Sequence, residues 1–261
     1  MIMEKVTASL RKTVRSLATP KGRREHGAFI AERTKCVLDL MGGPFTLRYV
    51  VATPEWFGEH PEIAAQTAAC YTSSPSEMQQ MSALNTPSDV IAVFDLPNTH
   101  PSRRLNTHDL YLALDAVQDP GNMGTIVRLA DWFGVKTILA GNGTVDVFNP
   151  KCVMSTMGSL KRVSVVYCDL PDALARFSAE NIALWGTFMD GHDVFELPDD
   201  TKYNGIIVMG NEGQGISPEI EKLVDHRIAI PRFPATGDCA ESLNVAMAAA
   251  IILAEFRRPK L

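Results

Sequence analysis

The sequence predicts an α/β protein in which a regular carboxy-terminal parallel sheet follows a smaller amino-terminal α/β unit. Three observations lead there. Beyond residue 108, near-continuous apolar runs such as LYLALDAV and GIIVMGN alternate with helix-like stretches, the pattern of buried parallel strands covered on both faces. The stretch from Asp95 to Asp109, DLPNTHPSRRLNTHD, is poor in apolar residues and carries two prolines and two asparagines, as a linker does. Of the 261 residues, 46% are hydrophobic and 21% charged, which is enough to give each of two parts a core. The expected division is a unit at 1–95, a linker at 96–107 and a unit at 108–261.

The amino-terminal elements read in order as helix, polar turn, short strand and helix through KTVRSLATPKGRREHGAFIAERTKCVLDLM, then strands LRYVVAT and VIAVFDL. Beyond the linker, LYLALDAV is a strand, and NMGTIVRLADWFG is a helix closed by Gly134. VKTILAG is a strand, and PKCVMSTMGSL opens a helix with Pro150 in its first turn. VSVVYC, IALWGTF and GIIVMGN are strands, with the helix PDALARFSAE between the first two. SPEIEKLV is a helix with Ser217 as N-cap and Pro218 at the first position. HRIAIPRF is the last strand. ESLNVAMAAAIILAEFRR is a long helix whose Arg257 and Arg258 suit its negative end.

Composition excludes several function classes. No apolar run approaches the length of a membrane span, and the opening MIMEKVTASLRK lacks the apolar core of a secretory signal. The five cysteines (Cys36, Cys70, Cys152, Cys168 and Cys239) form no CxxC pair, which points to a reducing cytoplasm rather than a disulfide framework or zinc site. The six histidines are scattered, so no metal centre is expected. A net charge of −5 argues against a polyanionic partner, but its distribution argues for one. Residues 1–35 hold nine Lys or Arg against three acids, either an amino-terminal surface for nucleic acid or a solvated helix face. Lys21, Arg23 and Arg24 lie at its centre.

In open parallel sheets ligands bind beyond the carboxyl ends of the strands. Three polar loops fall there: QDPGNMG after LALDAV, GNEGQG after IIVM, and PRFPATGDCAESLN after RIAI. Glycine lets backbone approach a ligand closely, and three such loops suggest one composite pocket. GxxxxGK[ST] and GxGxxG are both absent, and a nucleotide-dependent oxidoreductase also lacks the ribose-binding acid expected after its phosphate loop.

The three loops resemble the three motifs of the SpoU–TrmH-like RNA ribose 2′-O-methyltransferases of the SPOUT superfamily. Asn122 followed by Arg128 resembles the first motif, GNEGQGIS with Asn211 and Glu212 the second, and SLNVAMAAA with Ser242 and Asn244 the third. The resemblance covers roughly residues 108–258. The amino-terminal part resembles the family's substrate-binding domain, similar to ribosomal protein L30e, although Ala31-Glu32-Arg33 stands where Val-Glu-Gly is commoner.

The resemblance implies a deep trefoil knot, a homodimer with active sites at its interface, and S-adenosylmethionine as cofactor. It places cofactor contacts on Thr187, Gly210, Asn211, Ile230 and Leu243 and catalytic roles on Asn122, Arg128, Glu212, Ser242 and Asn244. RFPATGDCAE is longer than the family's usual loop, which bears on Ile230. A sulfonium leaving group needs no metal. The difficulty is the ribose hydroxyl, a weak nucleophile. Arg128 is expected to hold the neighbouring phosphate and the developing alkoxide rather than act as a base, and also to contact RNA. Glu212 is expected to orient Arg128 or accept protons, with an ordinary salt bridge as the alternative. Ser242 has the chemistry of an N-cap, and Asn122 that of a loop pin. Trp132 and Phe133 are expected in a core or interface. The substrate is expected to be ribosomal RNA, with transfer RNA or a catalytically silent RNA-binding protein as alternatives.

Overall fold

The computed structural model describes residues 3–66, 69–97, 105–198, 201–233 and 240–259 and forms two compact units. One holds residues Met1–Asn98 together with Asp146–Arg162; the other holds Thr99–Val145 and Val163–Leu261. The segment Asp146–Arg162 therefore belongs to the amino-terminal unit, a correction to the expected continuous unit at 108–261.

The amino-terminal unit contains β1 (Glu4–Lys5), α1 (Ala8–Ser16), α2 (Pro20–His26), β2 (Ala28–Glu32), α3 (Thr34–Met41), β3 (Leu47–Ala52), α4 (Pro54–Glu59), α5 (Pro61–Gln66), β4 (Cys70–Thr72), α6 (Pro75–Met81) and β5 (Val90–Asp95). Its sheet order is β1-β4-β3-β5-β2. β5 runs antiparallel to β2 and β3, and β4 parallel to β3 and β1. Val14, Leu17, Ile30, Val51, Met78, Met81, Ile91 and Val93 form its core. The stretch TPKGRREH, expected as a polar turn, is helix α2. Thr19 accepts from the Gly22 amide as N-cap, Pro20 occupies the first turn, and Gly27 ends the helix at φ 57°.

The segment taken up from the later sequence carries α8 (Pro150–Ser155). Phe148 packs with Phe29 at a ring separation of 4.6 Å and with Phe45 at 6.1 Å, and the Cys36 thiol points to the Val153 carbonyl at 3.8 Å.

The carboxy-terminal unit contains β6 (Leu110–Leu114), α7 (Pro120–Trp132), β7 (Thr137–Ala140), β8 (Ser164–Tyr167), α9 (Leu170–Ala179), β9 (Leu184–Asp193), β10 (Gly205–Met209), α10 (Pro218–Glu221), β11 (His226–Ala229) and α11 (Val245–Phe256). All its strand pairs are parallel, in the order β11-β9-β10-β6-β7-β8. The chain builds outward from β6 through β7 to β8, then returns to the other side of β6 through β9 and β10. The crevice between β6 and β10 is thus the topological switch point of the sheet. Two helices begin or end differently from expectation. α10 is a single turn, and the Ser217 side chain makes no cap bond; its amide instead donates to Asp115 at 2.7 Å. α11 starts at Val245, so ESLN lies outside it.

Candidate active site at the switch point

The loops that leave β6 and β10 at the switch point are fixed to one another by side-chain-to-backbone bonds. Asn211 donates from Nδ2 to the Ala116 carbonyl at 2.7 Å, while its Oδ1 accepts the Gly213 and Gln214 amides at 2.9 and 3.0 Å. Asn211 and Gly215 exchange backbone bonds of 2.9 Å, closing the GNEGQ turn. At Gly210 a Cβ would stand 2.3 Å from the Gly215 carbonyl carbon, so the turn closes only over a glycine.

Glu212, at the tip of that turn, accepts from the Gln118 amide at 3.2 Å, the Asp119 amide at 3.3 Å and Asn122 Nδ2 at 3.0 Å. Asp119 caps α7 through the Asn122 amide at 2.8 Å. Asn122 Oδ1 in turn accepts from Asn244 Nδ2 at 2.9 Å, and Asn244 Oδ1 caps α11 through the amides of Ala246 and Met247 at 2.9 and 3.3 Å. One residue from each of the three motifs thus joins a single chain, Glu212–Asn122–Asn244. Burial opposes the Glu212 charge, but the bonds from Asn122 and from backbone amides outweigh it and hold the carboxyl below its ordinary range.

Three expectations need correction. Within the protomer Glu212 does not orient Arg128. Its carboxylate is taken up by Asn122 and the start of α7, while Arg128 lies exposed six residues along the helix and forms no side-chain hydrogen bond or ion pair among the described residues. The N-cap of α11 is Asn244, not Ser242, which is exposed in the preceding turn. Arg23 is only 1% exposed. It donates to the Leu17 and Ala18 carbonyls at 3.0 and 3.1 Å and from Nε to Asp146 at 2.7 Å, so it cannot belong to a basic surface. Lys21 and Arg24 are exposed. Trp132 is 84% exposed and so is no part of the protomer's core.

Beside the network lies a cavity of about 690 Å³, within the range of small-molecule sites. Thr187, Gly210, Asn211, Glu212, Ile230, Ser242 and Leu243 all line it, bringing together the five expected cofactor contacts and two of the expected catalytic residues. Asn122, Arg128 and Asn244 are not in the lining. Sequence reasoning missed Phe188, Asp190, Glu221 and Arg227 in the same wall. Their signal was weak: GTFMDG reads as an ordinary strand end, and Arg227 as a charge on the last strand.

Among the described residues no group of three or more His, Cys, Asp or Glu could hold a metal ion, and no helix is long and apolar enough to cross a membrane.

Residues 109–254 match the SpoU rRNA Methylase family, and residues 11–92 match the MRM3-like substrate binding domain. The chain is 31% identical over 247 residues to the 23S rRNA (guanosine(2553)-2′-O)-methyltransferase RlmP of Bacillus subtilis, covering 94% of this chain and 95% of that protein. A structure from Porphyromonas gingivalis assigned to the TrmH family of RNA methyltransferases superposes with a TM-score of 0.82 at 36% identity, over 97% of this chain and 98% of the other. The AdoMet-bound rRNA methyltransferase from Sinorhizobium meliloti superposes with a TM-score of 0.80 at 26% identity, over 98% and 97%. The match over more than half of the chain, on the strands and loops that build the switch point, establishes that this protein belongs to the SpoU rRNA methylase family.

Proposed function

We propose that this protein, within its family's S-adenosylmethionine-dependent methylation of RNA ribose 2′-hydroxyls, acts on ribosomal RNA as a cytoplasmic homodimer. The observation that carries the reading is the Glu212–Asn122–Asn244 chain, which ties the three motif loops together while Glu212 also lines the cavity. The full-length similarity to the Bacillus subtilis 23S rRNA enzyme favours ribosomal over transfer RNA.

The cavity fits S-adenosylmethionine. Asp190, Glu212, Glu221 and Glu241 outnumber Arg227 and Arg232 in its lining, which suits a cationic ligand. Gly215, at φ 71°, has open space where a Cβ would stand, so backbone is free to meet a ligand there. Thr187, Gly210, Asn211, Ile230 and Leu243 would hold the cofactor, which supplies a methyl group on a sulfonium that becomes neutral as the methyl leaves. The chain's own residues then have to bind and orient the RNA. Glu212, already accepting three bonds, serves as a positioning residue and not as the base. Arg128, exposed on α7, is available to clamp a phosphate and a developing alkoxide with its planar fork. Ser242, at the cavity, is available to the ribose.

The dimer is supported by the outward faces of α7 and α11, two helices that pack on each other. Trp132 is 84% and Met247 53% exposed, with half-buried Leu129 and Ile251 one helical turn from them. Apolar surface of this kind on a soluble chain marks an interface. The trefoil knot and an L30e-like amino-terminal unit belong to the same reading, supported by family membership and by the match over residues 11–92. That unit would grip RNA through Lys21 and Arg24, with Lys12 and Arg15 exposed on α1. Incubating the protein with labelled S-adenosylmethionine and either unmodified ribosomal RNA or transfer RNA tests the function. Label at one ribosomal 2′-hydroxyl is expected; label confined to transfer RNA would overturn the substrate assignment.

A further inference from the structure

β9 does not follow β11 continuously. Gly186 pairs with Arg227 and the next pair is His192 with Ile228, so residues 187–191 leave the ladder as a bulge. Thr187, Phe188, Met189 and Asp190, four residues of that bulge, line the cavity. A bulge has no ladder bonds of its own to hold its shape. Its first residue is tied inward, since the Thr187 hydroxyl donates to the Val208 carbonyl at 3.0 Å. Its far half is held by Arg227. The guanidinium donates from Nη2 to Asp190 at 2.6 Å and from Nη1 to Glu221 on α10 at 2.5 Å, and its carbon lies 3.6 Å from the centre of the Phe188 ring. Three elements, β11, α10 and the bulge, meet on this one planar group.

We propose that Arg227 is a positioning residue for S-adenosylmethionine, clipping the 187–191 bulge into the shape that forms one wall of the cavity. The proposal rests on the reading that this cavity takes the cofactor. A planar fork bonded to two carboxylates, with its carbon over an aromatic ring, restricts direction as well as distance. The two acids also neutralise the arginine, so the wall does not present a free cation to a sulfonium.

This separates two roles for Arg227. If it sets shape, its removal weakens S-adenosylmethionine and its neutral product S-adenosylhomocysteine alike. If its role is charge, removal leaves two unpaired acids and favours the cation over the neutral thioether. Calorimetric titration of the full chain with each ligand reads both. For Arg227→Ala we expect both affinities to fall together by roughly tenfold or more, as misplacement of a binding wall does. We expect Arg227→Lys, which keeps the charge but not the planar fork, to recover less than half of the loss on a logarithmic scale. A thermal melt checks that each variant is folded; if Arg227→Ala does not fold, Asp190→Asn, which frees the bulge from the clip, carries the same expectation at a smaller amplitude. Both affinities within twofold of wild type, or S-adenosylmethionine tightening relative to its product, would overturn the proposal. Wild-type protein that binds neither ligand would instead remove the functional reading beneath it.

Discussion

Asn244 donates to Asn122 across 122 residues of chain, and the same Asn244 side chain caps the last helix with its oxygen. The two ends of one amide do different work, and substitution can separate them. Asn244→Asp keeps the accepting oxygen and so the cap, but turns an acceptor toward the Asn122 carbonyl oxygen. Asn244→Ala loses both. Denaturant unfolding is expected to place Asp within about 0.5 kcal/mol of wild type and Ala about 1 kcal/mol below it. Single-turnover methylation is expected to fall at least tenfold in both. Full activity in Asn244→Asp would mean that the inter-motif bond is dispensable.

Glu212 gives a second expectation, in pH. Its carboxyl is held below the ordinary value of 4.5, so its bonds stabilise the fold above that unfolded value and are lost as pH falls through the lower folded one. Glu212→Gln is therefore expected to melt below wild type at pH 7, with the gap narrowing below pH 4.5. A positioning residue also leaves the shape of the pH–rate profile alone. The variant should lose rate with an unchanged profile between pH 6 and 9; loss of a limb there would make Glu212 a base after all.

For Arg128 the expectation concerns shape rather than charge. If the guanidinium clamps phosphate and alkoxide in one plane, Arg128→Lys should lose nearly as much rate as Arg128→Ala, on the order of 10²-fold. Cofactor affinity should survive, since Arg128 is not in the cavity lining. Single-turnover rates at saturating RNA check this, and a lysine variant near wild-type rate would end the clamp.

Within the basic amino terminus, neighbours should behave oppositely. Lys21→Ala and Arg24→Ala are expected to lower the salt dependence of RNA binding by about one unit of slope each without changing stability. Arg23→Ala breaks a charge pair whose arginine is buried and should cost roughly 3 kcal/mol of stability. Filter binding from 50 to 300 mM salt and urea unfolding separate the two effects. A flattened slope in a stable Arg23→Ala would return that residue to the RNA surface.

The exposed Trp132 provides the test of assembly. Light scattering on the full chain is expected to show a dimer, and Trp132→Glu a monomer with far-UV circular dichroism unchanged. A wild-type monomer at micromolar concentration would remove the interface.

Much of the carboxy-terminal unit was legible because a buried parallel strand must be apolar throughout, and the loops at its carboxyl end stand out as polar by contrast. Gly210, Asn211, Glu212 and Leu243 stand in those loops, and with Thr187 and Ile230, which the family resemblance supplied as expected contacts, they line one cavity. What stayed hidden depends on partners distant in sequence. Nothing in KGRREH shows that the second of its basic side chains turns inward, because Asp146 stands 123 residues later. Ser242 and Asn244 are both capping residues, and only the path into α11 selects the second. The bulge in β9 is defined by the register of β11, which the sequence of β9 cannot report. Arg128 and Glu212 were expected to meet because each stood in a motif, whereas the polar end of α7 already occupies Glu212.

The allegiance of residues 146–162 bears on how such chains can be recombined. Phe148 is one of a cluster of four phenylalanines, packed mostly edge-on or tilted, with Phe29, Phe45 and Phe94, and the buried Arg23 finds its carboxylate on Asp146. The amino-terminal unit is therefore not a contiguous cassette that ends at the linker. Grafting residues 1–95 from one relative onto the remainder of another would give the new module a foreign aromatic wedge and a foreign counter-ion. A chimera cut at three places, so that 146–162 travels with its own module, is the one whose core matches. If that unit grips RNA as proposed, exchange of RNA specificity by a single crossover should for the same reason be hard, and specificity should drift more readily by surface substitution on α1 and α2.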